Sequence, residues 1–388
     1  MKICHLITRL IIGGAQENTL FTCEGLQDRG HEVVLMAGPE TGPEGSLWDR
    51  VDSSGLAGVK IQSLRRAVHP LQDWRCLRHL TAALRAGRFD VVHTHSSKAG
   101  ILGRLAARRA GTPLIIHTIH GMSFNRTQPA VVRTFYRALE RHAARHTHAF
   151  VSVADAMTEQ AVAAGLAEPD RFTTIHSGMD TERFTPDEAA RARVRAEWGV
   201  EPNRVVVGTI ARLFRNKGYE EIIAAMPRMV GEADSLSFVW VGDGRDRPRY
   251  EQALAQLGLR DRVHLTGLVP PDRIPTLLAG CDILVHASKW EGLPRALPQA
   301  LLMEVPVVSF DNDGAPEVVT PGVTGELVRL GDVDGLAAAV IRLARRPELR
   351  RRMGADGRKR CLQMFDHRLM VSRIESLYHC LRDRTGNC

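Results

Sequence analysis

DILVHASKWEGLPRALPQAL, residues 282–301, begins as a short apolar run and passes through Glu291-Gly292-Leu293-Pro294 into a helix, with Pro294 suited to the first helical turn. A strand feeding a helix through a brief turn is half of a βαβ unit, and the same alternation extends outward from it. Upstream, VVVGTIARLFRNKG (205–218) places Arg212 and Lys217 just past a strand, and FVWVGDG (238–244) ends another strand on Gly242-Asp243-Gly244. Strands are expected at Arg204–Ala211, Leu236–Val241, Val263–Gly267, Asp282–Ala287 and Val305–Phe310. Runs this continuous in Val, Ile and Leu suit parallel sheets covered on both faces.

The first half shows the same rhythm. Lys2–Ile7, His31–Ala37, Asp90–His95, Pro113–His120, Ala149–Val153 and Phe172–His176 read as strands, with helices at Ala15–Arg29, Ala99–Ala110 and Ala130–His146 among them. Two successive βαβ series in 388 residues imply an α/β protein of two doubly wound, Rossmann-like parallel-sheet domains facing across a cleft. The polar stretch 183–203, with Pro186 and Pro202, reads as the linker.

Composition narrows the class. At 44% apolar and 25% charged, the composition is that expected of a soluble globular enzyme, not of a disordered or fibrous chain. Seven scattered cysteines without a Cys-x-x-Cys pair argue against a disulfide framework or a structural zinc site and for a reducing, cytoplasmic setting. MKICHLITRLIIGG is interrupted by His5, Thr8 and Arg9 and reads as a first strand, not a signal peptide. No run approaches the roughly 18 apolar residues of a membrane span. The net charge of +8 is local: residues 91–154 hold nine Lys or Arg against one acid, Glu140.

Several motifs carry chemistry, each with a plain alternative. Gly13-Gly14-Ala15-Gln16 joins the first strand to a helix, where glycines let backbone approach a phosphate or sugar; the alternative is a tight βα turn. Arg212 and Lys217, in a loop closed by Gly218, are fixed cations for a departing diphosphate or else surface residues. Glu291 is a ligand for a sugar hydroxyl or a carboxylate serving a helix dipole, while the N–H groups of Gly292 and Leu293 suit a phosphate. His93, His95, His117 and His120 look like a metal cluster. In strand register His93 and His95 share a face while His117 and His120 do not, so they read as polar strand-end histidines, with His120 before Gly121 placed to meet a ligand. Asp311-Asn312-Asp313 reads as turn chemistry, not a metal-holding Asp-x-Asp. No metal is expected.

Together with VVHTHSSKAGILGRLAARRAGTPLIIHTIHG (91–121), IHSGMDTERF (175–184) and PVVSFDNDGAPEVVTPGVTGELV (306–328), these segments make nearly the whole chain resemble a family-4 glycosyltransferase of the GT-B fold. That resemblance implies metal-independent, retaining transfer from a nucleotide-diphosphate sugar, with no cofactor. It implies an acceptor-side domain over 1–187, a nucleotide-sugar domain over 188–365, and a last helix (366–388) crossing back to the first. Arg212 and Lys217 would bind the diphosphate and Glu291 the sugar. His120 would sit beside the sugar, Gly13, Gly14, Gly242, Gly292 and Leu293 would border the donor, and Gln16 and Lys98 would lie on the acceptor side. The family pairs two glutamates separated by seven residues. Gln299 replaces the second, leaving an uncharged acceptor for the ribose. A nucleotide-sugar epimerase of the same fold and a non-catalytic, sugar-binding relative are the alternatives. EGLPRALPQAL argues against the first, and the intact His120, Arg212, Lys217 and Glu291 against the second.

The basic band has its own reading. On a helix over Ala130–His146, Arg133, Arg137, Arg141 and Arg145 form a stripe, with Val132, Phe135, Tyr136, Leu139 and Ala143 as an apolar face beside it. The plain reading is a solvated face on a helix docked to its sheet. The sharper one is peripheral contact with an anionic membrane carrying a polyprenyl-diphosphate-linked glycan. With few interleaved aromatics, nucleic acid is not expected.

Overall fold

Two parallel sheets organise the chain in a computed structural model that describes residues 1–39, 42, 45–125 and 128–385. The first contains β1 (Lys2–Arg9), β2 (Glu32–Gly38), β3 (Ala57–Lys60), β4 (Val91–His95), β5 (Leu114–Ile119), β6 (Ala149–Ser152) and β7 (Phe172–Thr174). Its order is β3-β2-β1-β4-β5-β6-β7, and its pairings are parallel. Helices α1 (Gly14–Asp28), α2 (Trp48–Ser53), α3 (Pro70–Gly87), α4 (Ser97–Ala110), α5 (Ala130–Ala144) and α6 (Asp155–Ala163) connect these strands.

The second sheet follows α7 (Glu188–Glu197). Its elements run β8 (Val205–Ile210), α8 (Tyr219–Glu232), β9 (Leu236–Val241), α9 (Arg247–Gln256), β10 (Val263–Gly267), α10 (Ile274–Ala279), β11 (Ile283–His286), α11 (Ala296–Leu302), β12 (Val307–Asp311), α12 (Ala315–Val318) and β13 (Gly325–Arg329). The order is β10-β9-β8-β11-β12-β13, again parallel. α13 (Val333–Ala344) and α14 (Pro347–Met364) cover it, and α15 (His367–Thr385) closes the described chain. One compact unit comprises Met1–Gly178 with His367–Cys388, the other Met179–Asp366.

Strand periodicity assigns the two faces of the first sheet. Ile3, Ile7, Val91 and Ile116 pack under α1 and α15, against Leu20, Ile374 and Tyr378. Cys4, Leu6, Val92 and Ile115 face α3 and α4. A Cβ on Gly25 would lie 2.7 Å from Val371 Cγ2, so the absent side chain is what lets α1 and α15 approach closely.

The stretch 183–203 is not an open linker. Asp187 accepts from the N–H groups of Ala189 and Ala190 (2.9 and 3.0 Å) and starts α7. Arg191 and Arg195 from that helix grip Asp282 at 2.6 and 3.0 Å, and Asp282 also accepts from Val206 N–H at 2.7 Å. The polarity read as a linker belongs to this charge network. β3 and β13 were not foreseen: β3 is a short strand of exposed residues, AGVK, and β13 (GELVR) is only partly buried, so neither carries a strong apolar signal.

Candidate functional site

In each sheet the strand order reverses direction once, between β1 and β4 in the first and between β8 and β11 in the second. Open α/β sheets bind ligands outside the carboxyl ends of strands at such switch points. Most residues singled out in the sequence fall at these two places.

Beyond β8 the chain makes a short 3-10 turn, Arg215–Lys217, and enters α8 through Gly218. Gly218 has φ +77°, and a Cβ there would meet Ala287 O at 1.9 Å, so glycine is required to seat this loop on the end of β11. Lys217 then ion-pairs with Glu291. His286, buried at the end of β11, holds Nε2 3.6 Å from the same carboxylate oxygen. Burial pushes the Glu291 carboxyl up, but the charge of Lys217 and hydrogen bonds from Lys217 and Ser288 leave it below the ordinary value. Burial drives His286 down to about 4, so at neutral pH it is an uncharged neighbour. Nothing in the sequence reading had picked out His286; its place at the last position of a buried strand was the available signal.

The Glu291 backbone N–H donates to Asp313 Oδ2 at 2.8 Å, and Gly314 N–H donates to Gly292 O at 3.1 Å. The Asp-Asn-Asp turn therefore clamps the Glu-Gly-Leu-Pro loop from the next strand. The expectation that Pro294 opens the helix is corrected: α11 starts at Ala296, because Glu291–Arg295 form a separate loop held by that clamp. Gly292 and Leu293 are buried in the loop, and Gln299 lies one turn into α11 on its more exposed side.

Arg212 is exposed, its guanidinium 4.9 Å from the Phe214 ring centroid, with Arg245 on the same ring at 5.6 Å. Gly242 has an explanation inside the protein. At φ +133° a Cβ would lie 2.3 Å from Ala211 O, and Leu213 N–H donates to Asp243 O at 3.0 Å. Its glycine thus allows the loops after β8 and β9 to run together.

At the other switch point, Gly13 precedes α1 and Gly14 is exposed as its first residue. Gln16 donates to Arg9 O at 3.3 Å. Ser96, after β4, is held at φ +60° and its hydroxyl lies 2.7 Å from that of Thr8, a strained conformation that clusters at functional sites. Lys98 pairs with Asp73 at 2.5 Å and donates to Ala67 O at 2.8 Å. Gln16, Lys98, Arg9 and Arg66, with Asp73 and several hydroxyl side chains, line a cavity of about 570 Å³ that also has an apolar wall, with Leu102, Phe135, Tyr136 and Leu139 among its members. A second hollow, shared at Arg9, Arg66 and Tyr136, adds Arg65. The apolar face read on α5 is therefore not docked on the sheet in its first half: Val131, Val132 and Phe135 are exposed, and only Glu140, Ala143 and Ala144 are buried.

The histidines divide by strand face. His117 Nδ1 lies 2.9 Å from Thr94 Oγ1 on the α4 side. His93 and His95 lie opposite, fully buried with His5, and His120, part-exposed beyond β5, joins them through His95 at 3.0 Å. Reading them as polar strand-end residues is corrected, since His93, His95 and His117 are all interior.

Comparisons with known proteins agree with this geometry. The family described as glycosyl transferases group 1 matches residues 190–360, and the glycosyl transferase 4-like domain matches 13–178. A GDP-mannose-dependent phosphatidylinositol monomannoside mannosyltransferase of Mycolicibacterium smegmatis is 31% identical over 71% of this chain and 72% of its own. The chain is a family-4 glycosyltransferase of the GT-B fold. The UDP-Gal:α-D-GlcNAc-diphosphoundecaprenol α-1,3-galactosyltransferase of Escherichia coli is 29% identical over 97% of this chain and 96% of its own. Among solved structures, Anabaena HepE in complex with UDP-glucose superposes with a TM-score of 0.83 over 98% of this glycosyltransferase and 100% of HepE, at 22% identity. The catalytic reading thus stands over the epimerase and binding-only alternatives.

Proposed function

We propose that this enzyme moves a hexosyl or N-acetylhexosaminyl unit from a nucleoside-diphosphate sugar, with retention and without a metal ion, to a polyprenyl-diphosphate-linked glycan. The setting is the cytoplasmic face of a bacterial membrane, in envelope polysaccharide assembly. The observation that carries the donor half is the part-buried Lys217–Glu291 pair at the switch point of the second sheet. A diphosphate arriving there competes with Glu291 for Lys217, and the freed carboxylate is then available to a sugar hydroxyl. Arg212, at the same strand end, adds the second fixed cation. These two supply the charge that a divalent ion would otherwise bring to the leaving group.

The cavity of the first unit supports the acceptor half. Its cationic side, Arg9, Arg66 and Lys98, suits an anionic head, and its apolar wall suits a lipid chain. Both relatives described above are named for lipid-linked acceptors and for different donor bases, so UDP- and GDP-sugars are both to be tried. Exposed Val131, Val132 and Phe135 beside Arg133 and Arg137 fit the interfacial region of an anionic bilayer. No helix among the described residues is long and apolar enough to cross a membrane.

The test is transfer to short-chain polyprenyl-diphosphate-linked sugars in EDTA, with anomeric NMR of the product. Retention and full activity in EDTA are expected. Inverted product, or activity restored only by a divalent ion, would overturn the corresponding part.

A further inference from the structure

At the end of β11 one buried nitrogen has no hydrogen-bond partner. His286 is the last residue of that strand, 6% exposed and paired with Ser309 of β12. Its Nε2 is shut off from solvent and makes no hydrogen bond. Glu291 Oε1 lies 3.6 Å away, just beyond the roughly 2.7–3.2 Å of an N–H···O bond. Buried polar groups in native interiors are nearly always paired, so this exception asks for a reason.

The reason is competition for one oxygen. Lys217 Nζ already holds Oε1. A bond between an ammonium and a carboxylate is stronger than one from a neutral imidazole, and burial keeps His286 neutral. The carboxylate therefore sits with Lys217 and leaves Nε2 short. Facing that carboxylate, Nε2 carries the ring proton, since a lone pair there would be repelled. The two competitors differ in freedom. His286 is fixed by its strand, whereas Lys217 carries its charge on a flexible four-carbon stem at the end of a 3-10 turn. Glu291 is restrained by its backbone bond to Asp313 and by Ser288. An anion that draws Lys217 away also repels the carboxylate, and a shift of about half an ångström brings Oε1 within reach of Nε2.

We propose that His286 is a positioning residue, the partner to which the Glu291 carboxylate passes when an anion engages Lys217. In the empty protein Glu291 is ion-paired with Lys217; with the anion bound it accepts from His286 Nε2–H and keeps its charge and its orientation. The ring proton stays on Nε2 throughout. Without His286, the released carboxylate would keep Ser288 alone and turn away from the site. The catalytic consequence rests on the reading of Lys217 as a diphosphate ligand and Glu291 as a sugar ligand. The exchange of partners does not.

The experiment is proton–nitrogen NMR of the full chain with labelled histidine at neutral pH, the His286 Nε2–H signal assigned by its loss in His286→Gln. Lys217→Met removes the competing charge with no ligand present and should move that signal downfield, as a hydrogen bond to a carboxylate does. In wild type, saturating UDP or GDP should move it the same way, and in Glu291→Ala the nucleotide should leave it in place. No downfield shift in Lys217→Met, or an equal nucleotide shift in Glu291→Ala, overturns the proposal. In parallel, His286→Leu should lower kcat at least about threefold with the donor KM unchanged. His286→Gln sets an amide N–H near the position of Nε2 and should recover most of that loss. Unchanged kcat in His286→Leu, or equal losses in both variants, overturns the positioning role. A downfield shift in Lys217→Met, in a protein that binds neither nucleotide and transfers no sugar, would support the exchange and count against the transferase reading.

Discussion

Mild acid should unfold the first unit before the second. His5, His93, His95 and His117 are buried there and held well below their ordinary pKa by desolvation, with the Arg104 charge adding to the effect for His117. The sign follows from proton counting. In the folded state these rings stay neutral, whereas in the unfolded chain each takes a proton as pH falls through about 6.5. Their stabilising contribution is full above that value and lost below it. Between about pH 7 and pH 5.5 each such ring shifts the balance by about 1.3 kcal/mol, and four together by about 5 kcal/mol. That is a large part of a typical domain's stability. The second unit buries one comparable ring, His286.

Hydrogen exchange read by mass spectrometry separates the units. After correction for intrinsic rates, peptides over β4 and β5 should lose protection by more than about a thousandfold across that pH interval, and those over β8 and β9 by about tenfold. Equal loss in both units, or less than about tenfold in β4 and β5, would refute the reasoning, because the buried rings would then be titrating within the fold.

Four further outcomes are expected. Arg212→Ala and Lys217→Ala should each lower kcat by about 10² to 10³ with the fold intact; rates within about threefold of wild type for both would remove them from leaving-group stabilisation. Glu291→Gln should damage turnover more than nucleoside-diphosphate binding, measured by calorimetry, since the nucleotide product lacks the sugar; Gln299→Glu should keep activity and tighten nucleotide binding. Asp282→Ala strands Arg195 in a buried position and should destabilise the second unit by about 3 to 5 kcal/mol in urea titration, and a loss below about 1 kcal/mol would mean that Arg191 and Arg195 re-pair. Replacing Arg133, Arg137 and Arg141 by Gln should abolish salt-sensitive co-sedimentation with anionic liposomes. Equal indifference of wild type to anionic and neutral liposomes, with full activity on a water-soluble acceptor, would rule out the membrane contact.

The sequence exposed the sheets because buried parallel strands are written as unbroken Val and Ile runs, as in VVVGTI and FVWV. It located Lys217 and Glu291, 74 residues apart, because strand ends can be read locally. It could not show that they pair, since that depends on which strands are neighbours: β8 and β11 touch although β9 and β10 lie between them in the chain. The same limit hid the buried cluster of His5, His93 and His95. His93 and His95 share a face by period two, but His5 arrives from β1, and Tyr378, which bonds His93, from α15, 285 residues beyond it. Polar residues in a strand read as exposed until partners from distant elements are known.

Charge shows that limit most sharply. Nine cations in residues 91–154 look like one basic band in the sequence, yet those described do different work. Arg104 is buried against Glu140, the stretch's one acid, and tethers α5 to α4. Lys98 is held by Asp73 at the cavity rim. Arg108, Arg109, Arg133, Arg137, Arg141 and Arg145 are exposed, while Arg126 lies outside the described residues. Only the exposed set can drive attraction to an anionic surface, and its α5 members lie beside exposed Val131, Val132 and Phe135, the last of which lines the cavity. An excess of +8 thus separates into a structural bolt, a cavity-lining ion pair and a surface field. The surface field alone should respond to salt on the scale of the Debye length, which is why the liposome experiment targets α5 and leaves Lys98 and Arg104 untouched.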